Sequence, residues 1–177
     1  MSKKYSRIIA LSIQLIRKDV MQGHLKWKVT DLARTCKISR SQIYELLGKS
    51  KSEILNNALK ILLEEIYGLS PERVALRESE SHLAGVIRSR KIVIDAPELL
   101  SFYFRHRTRE DQIGETIRNN EKKYHDLVQK QTGLQDKNQL LYFRTVIHGI
   151  SVAPYLTDVE VENCLQLMFQ ALQQLKK

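Results

Sequence analysis

An all-α fold is what this sequence predicts, and three observations carry that expectation. Apolar residues recur at helical spacing almost throughout. No stretch sustains a period of two, and only three prolines and seven glycines interrupt 177 residues. With 42% hydrophobic content the chain can bury a core without a disulfide scaffold or a metal. No internal repeat or low-complexity tract breaks the pattern.

The elements follow in order. A first helix is expected over 4–21, with Ile8, Leu11, Ser12, Leu15 and Ile16 on one face and Arg17, Lys18 and Asp19 toward water. Gly23 ends it. A short second helix starts near Thr30, whose hydroxyl is placed to cap the first free amides, and a third starts at Ser39 for the same reason. Only Lys37 and Ile38 lie between them.

Next comes a Ser-x-x-Glu capping box from Ser50 to Glu53. It opens a long amphipathic helix marked by Ile54, Leu55, Ala58, Leu59, Leu62, Leu63 and Ile66. Gly68 and Ser70-Pro71 then break the chain, with Pro71 suited to a first helical position. Further helices are expected over 79–94, 97–105, 111–131, 137–153 and 158–175. Their boundary signals are Asp95-Ala96-Pro97, Gly133, Pro154 and Thr157-Asp158.

Charge divides the chain unevenly. Residues 1–56 carry 12 Lys+Arg against 4 Asp+Glu, a net +8, whereas residues 57–177 carry 17 against 16, a net +1. A cationic head on a near-neutral body is the electrostatic footprint of a polyanion binder, and two domains, 1–56 and 57–177, are expected on this ground. Lys3, Lys4 and Arg7 before Ile8 to Leu11 faintly resemble a signal peptide. Ser12, Gln14, Arg17 and Lys18 break that run, and no small-residue cleavage site follows. No 18 consecutive apolar residues occur, so no bilayer span is expected. Cys36 and Cys164 stand far apart without partners at metal-ligand spacing, which fits a reduced, cytoplasmic protein.

The most informative stretch runs from Val29 to Leu55. Leu32, Ala33 and Cys36 share one face of the second helix, Ile38 fills the turn, and Ile43, Leu46 and Leu47 form the inward face of the third. Ala33 is small enough for two helices to cross closely. The helical step of about 100° then turns Ser41, Tyr44 and Glu45 outward, flanked by Arg40 and Gln42. Arg and Gln carry the paired donors and acceptors that match guanine and adenine edges in a major groove. Thr30, Tyr44, Lys49, Ser50 and Lys51 suit phosphate oxygens, as does the capped helix start at Ser39. Glu45 either accepts from a cytosine amino group or pairs with Lys49 at i+4.

Read as VTDLARTCKISRSQIYELLGKSKSEIL, this stretch resembles the helix-turn-helix of the tetracycline-repressor (TetR) family. The matching positions are Asp31-Leu32-Ala33, Ile38-Ser39, Ile43-Tyr44, Ser50-Lys51, Glu53 and Leu55. Ile8, Leu11, Leu15 and Ile16 also fit, as does Ala96-Pro97-Glu98-Leu99-Leu100 in the body. Lys37 stands where the family usually has a helix-joining glycine, and Glu45, Leu46 and Leu47 replace its usual aromatic residues. The detailed resemblance covers the first third of the chain.

That resemblance implies an N-terminal three-helix DNA-binding head, joined by a long helix to an all-helical ligand-binding and dimerisation domain. Two heads on a two-fold site would stand roughly 34–36 Å apart, or a multiple of that. The last two helices would form a homodimer as a four-helix bundle, through residues among Leu140, Leu141, Phe143, Val146, Ile147, Ile150, Val161, Leu165, Met168, Phe169, Leu172 and Leu175. Gly149, Ser151 and Ala153 would allow close helix approach. The family's body often holds a small-molecule effector whose binding moves the linking helix and spreads the heads. Candidate lining residues are Phe102, Tyr103, His106, Tyr124, Tyr142 and His148.

The resulting expectation is a ligand-responsive repressor on palindromic operator DNA, without cofactor, metal or membrane partner. An alternative keeps the fold and the DNA but drops the effector, giving an architectural or cell-cycle protein. A third reading makes the body a protein-interaction module with a vestigial head. Enzyme motifs are not found. The histidines at 24, 82, 106, 125 and 148 form no His-Glu-x-x-His, and there is no Cys-x-x-Cys and no glycine-rich phosphate loop. His106 between arginines suits either an anion site or a solvated helix end.

Overall fold

The computed structural model describes residues 3–76 and 82–174, with the side chains at 82, 83 and 173 left aside. The described residues are helical or in turns, without strands. Among them, no helix is long and apolar enough to cross a membrane.

Helix α1 spans Lys3–Gln22, α2 Val29–Cys36, α3 Arg40–Leu47 and α4 Lys51–Ile66. Leu11, Leu15 and Ile16 of α1 are buried as the periodicity requires, but Asp19 is not the water-facing residue expected. Its carboxylate is 2% exposed. Oδ1 accepts from the Leu25 amide at 2.8 Å and from the Trp27 indole at 2.9 Å, so the acid fastens the turn after α1. Trp27 is fully buried beneath it. The indole has to find an acceptor once it leaves water, and Asp19 is that acceptor.

Thr30 does not cap α2. The helix begins one residue earlier, its N-cap position is Lys28, and no side chain bonds there. At the other end Lys37 adopts the left-handed conformation, φ 51°; its amide donates to the Arg34 carbonyl and the Ile38 amide to the Ala33 carbonyl. A glycine usually closes a helix in this way; here the chain accepts a side chain in the strained region. Ser39 caps α3 in a full capping box, its hydroxyl accepting from the Gln42 amide and Gln42 Oε1 accepting from the Ser39 amide. Ser50 and Glu53 do the same for α4. Gly48, between α3 and α4, has φ 117°, and a Cβ there would meet the Glu53 side chain at 2.5 Å. Only glycine fits that turn.

The body comprises α5 Pro71–Leu76, α6 His82–Asp95, α7 Glu98–His106, α8 Gln112–Thr132, α9 Lys137–Val152 and α10 Asp158–Gln174. The start expected for α6 at residue 79 lies outside the described residues. Pro71 is the first residue of α5, and Asp111 and Asp136 cap α8 and α9. Arg90 of α6 is buried and donates to the Ile150, Ala153 and Leu156 carbonyls, tying α6 to the end of α9 and the turn that follows it.

Two apolar cores result. The first joins α1–α4 to Ala96, Leu99, Phe102, Ile113 and Ile117, so α7 and the start of α8 pack directly on the N-terminal helices. The second lies farther along, where Val128 meets Phe143, Ile147, Ile150, Val161, Leu165, Met168 and Leu172.

Candidate functional site

Helix α3 has one face in the first core and one face in solvent. Ile43 and Leu47 are fully buried and Leu46 half-buried. Arg40, Ser41, Gln42, Tyr44 and Glu45 are exposed, as the helical step requires. Their availability differs. The side chains of Arg40, Tyr44 and Lys49 make no hydrogen bond or ion pair among the described residues. Ser41 shares a hydroxyl contact of 2.9 Å with Ser39, and Gln42 is held by the cap it completes. The Ser39-x-x-Gln42 spacing is itself a capping-box signature, so the commitment of Gln42 is readable from sequence.

Lys51 is also engaged. Its ammonium donates to the Leu25 carbonyl at 3.0 Å and lies 5.6 Å over the Trp27 ring, tying α4 to the turn after α1. Ser50 caps α4, and Thr30 is exposed on α2. The pairing of Glu45 with Lys49 does not form. Glu45 instead lies in a shallow groove with Lys3, Lys4, Arg7, Ile38, Gln42 and Leu46. These three cations of α1 flank α3 and were missed as site residues, because nothing local in sequence places residue 3 beside residue 45.

The body holds a cavity of about 600 Å³ between α4, α6, α7, α8 and α9. Leu59, Leu62, Leu63 and Ile66 of α4, with Tyr67 just after it, form one wall, and Val86, Val93, Leu99, Val128 and Ile147 lie opposite or beside them. Of the six aromatic residues and histidines expected to line a pocket, Tyr103, Tyr124 and His148 do so. Phe102 belongs to the first core instead, and His106 is buried with its ring stacked on that of Phe102, away from the cavity. Tyr142 lies on the outer surface of α9, 41% exposed.

The cavity's polar groups are uncharged or already paired. Tyr67 stacks on Tyr124 with ring centroids 4.9 Å apart. Burial raises the Tyr67 phenol and pushes the Tyr124 phenol up to about 12, so both stay protonated. Burial and the Arg144 charge lower the His148 pKa, which keeps the imidazole neutral. Burial raises the Glu121 carboxyl, but hydrogen bonds from Arg107 and Tyr103 outweigh it and hold the pKa below the usual range. Arg107 Nε reaches Glu121 Oε1 at 2.7 Å, and the Tyr103 hydroxyl donates to the same oxygen. Such a lining suits a largely apolar, uncharged molecule with one or two hydrogen-bonding groups.

At the far end, α9, α10 and the turn between them leave Leu141, Tyr142, Val152, Tyr155, Val159 and Leu167 exposed. Most of the residues expected to carry a dimer contact are buried or half-buried within the chain: Phe143, Ile147, Ile150, Val161, Leu165, Met168 and Leu172 are buried in the second core. Leu141 alone among them is strongly exposed, and Leu175 lies outside the described residues. Gly149 is open, with nothing within 4 Å of a Cβ placed there.

Compared with family models, curated proteins and solved structures, the chain matches none of them.

Proposed function

We propose that this chain is a DNA-binding transcription regulator of the tetracycline-repressor type, a homodimeric repressor that a small apolar effector releases from a palindromic operator. The observation that carries the reading is the two-sided α3. Its apolar side is locked into a core while Arg40, Tyr44 and Glu45 project from the third of the chain that holds nearly all the excess positive charge.

In this reading α3 enters the major groove. Arg40 reads a guanine edge with its paired donors, and Tyr44 and Lys49 hold phosphates on either side. Lys3, Lys4 and Arg7 extend the contact along the backbone and offset the charge of Glu45. Gln42 and Lys51 are positioning residues: one closes the cap that presents α3, the other holds the turn after α1. The exposed apolar residues of α9 and α10, with the open Gly149, form the dimer face.

The effector's route to the heads is α4, which walls the cavity at Leu59, Leu62 and Ile66 and begins at the Ser50 cap beside α3. A ligand acts only by favouring one position of α4 over another; affinity without that difference shifts nothing.

The test is selection of tight binders from random duplexes by the full chain, followed by release trials with fractionated small molecules. The reading expects an inverted repeat with half-site centres one or two helical turns apart, and affinity falling steeply with salt. Failure to enrich any duplex at modest ionic strength contradicts it. Enrichment with no releasing molecule supports the effector-free architectural alternative.

A further inference from the structure

The end of α1, the turn after it and the end of α7 meet at one corner of the molecule. There Asp19, His24 and His106 each offer a ligating atom, all within 4.8 Å of one another. These residues belong neither to the α3 face nor to the cavity lining. We infer that this corner binds one divalent first-row transition ion of the zinc type.

Three features of the corner carry the inference. His106 is 2% exposed, yet its Nδ1 has no hydrogen-bond partner, although a buried ring nitrogen ordinarily finds one. The ring is fixed by stacking on Phe102 at 4.2 Å between centroids, and the His24 ring lies 5.2 Å away. Asp19 is held from behind: the Leu25 amide and the Trp27 indole both donate to Oδ1. Its other oxygen faces His24 Nδ1 at 3.4 Å, long for a hydrogen bond. Hydrogen bonds that orient a carboxylate while leaving one oxygen open are what metal ligands receive from their surroundings.

The donor set decides the class of ion. Two imidazoles and one carboxylate suit zinc, cobalt or nickel, while magnesium and calcium ask for oxygen alone. Bound zinc holds such atoms at about 2.0–2.2 Å, so the three groups must draw together by roughly an ångström. His24 supplies that movement, being exposed on a turn, whereas Asp19 and His106 are fixed. Arg109, whose charge reaches His106, is paired with Asp111 at 2.7 Å. Three protein ligands leave a further position for water. The ion would join the turn before α2 to α7, adding a direct tie between the N-terminal helices and the body.

The test uses the untagged full chain stripped with chelator and no DNA, so its outcome is separate from that of the DNA-binding reading. Cobalt is titrated by its visible absorption and zinc by competition against it. One equivalent per chain is expected, with a zinc-dependent rise in the thermal midpoint. His24→Ala, at an exposed site, should lower affinity at least about 100-fold and abolish that rise without changing the metal-free fold. The paired variant Cys36→Ser/Cys164→Ser and the paired variant His125→Ala/His148→Ala should bind as the parent does. No binding at millimolar cobalt, binding unchanged in His24→Ala, or binding lost with the cysteines each overturns the site and leaves an ordinary hydrogen-bonded corner.

Discussion

The N-terminal helices and the α9–α10 end distribute their apolar residues in opposite ways. In α2 and α3 the apolar stripe is narrow and is consumed by the core: Leu32, Ile43 and Leu47 are fully buried, and the outer faces are polar, each with one arginine and one acid, between segments rich in lysine. In α9, α10 and the turn between them the apolar residues exceed what the second core takes in, leaving Leu141, Tyr142, Val152, Tyr155, Val159 and Leu167 in solvent. A face that is polar after the core is satisfied fits a charged partner. A face that is still apolar fits another protein surface. The proposed DNA contact and the proposed dimer face rest on that difference.

The sharpest way to break the first half of that comparison is Asp19→Ala, measured in chelator. It leaves the Trp27 indole and the Leu25 amide without their acceptor in a buried site, and should cost roughly 3 kcal/mol. For a chain of this length the thermal midpoint should fall by about 6–12 °C. A change of under a degree would mean that the corner is not what fastens α1 to α2.

For the other half, Leu141→Glu combined with Leu167→Glu should weaken self-association at least about 100-fold, roughly 2.7 kcal/mol, in sedimentation equilibrium. Both side chains are exposed in the single chain, at 58% and 65%, so the monomer's own unfolding should change by less than about 0.5 kcal/mol. Undiminished association would move the dimer face elsewhere.

A smaller effect sharpens the account of the cavity between the two ends. Burial and the Arg144 charge lower the folded pKa of His148 and His125 below the ordinary value near 6.5. Their contribution to stability is therefore complete above about pH 6.5. It is lost as pH falls below that value, because the unfolded chain takes up the protons first. Thermal midpoints should drop between neutral pH and mildly acid pH, and His148→Gln should make the drop shallower. A midpoint flat across that range contradicts a neutral, water-poor cavity.

What could be read from sequence follows the same division. The caps at Ser39 and Ser50 were legible because both partners lie within three residues, and helix bounds followed from glycine, proline and cap signals. Asp19 was illegible, since an acid beside Arg17 and Lys18 reads as solvated until the turn brings Trp27 over it. Tyr103, Tyr124 and His148 were found for the cavity, but Phe102 and His106 were assigned to it as well. Helical spacing says which residues share a face, and on α7 two adjacent faces are buried against different things. The aliphatic wall from α4 and α6 went unread because leucine and valine look the same in a core and in a cavity. In α9 both sides are apolar, so periodicity could not allot Phe143 inward and Leu141 outward.

The central claim is that the outer face of α3 meets duplex DNA, and one comparison tests it most directly: fluorescence anisotropy of a selected duplex and a scrambled one, titrated with the parent chain and with Arg40→Ala. Arg40→Ala should lose about 1–3 kcal/mol on the selected duplex and much less on the scrambled one, narrowing the gap between them. Equal affinity of parent and variant for both duplexes would contradict it.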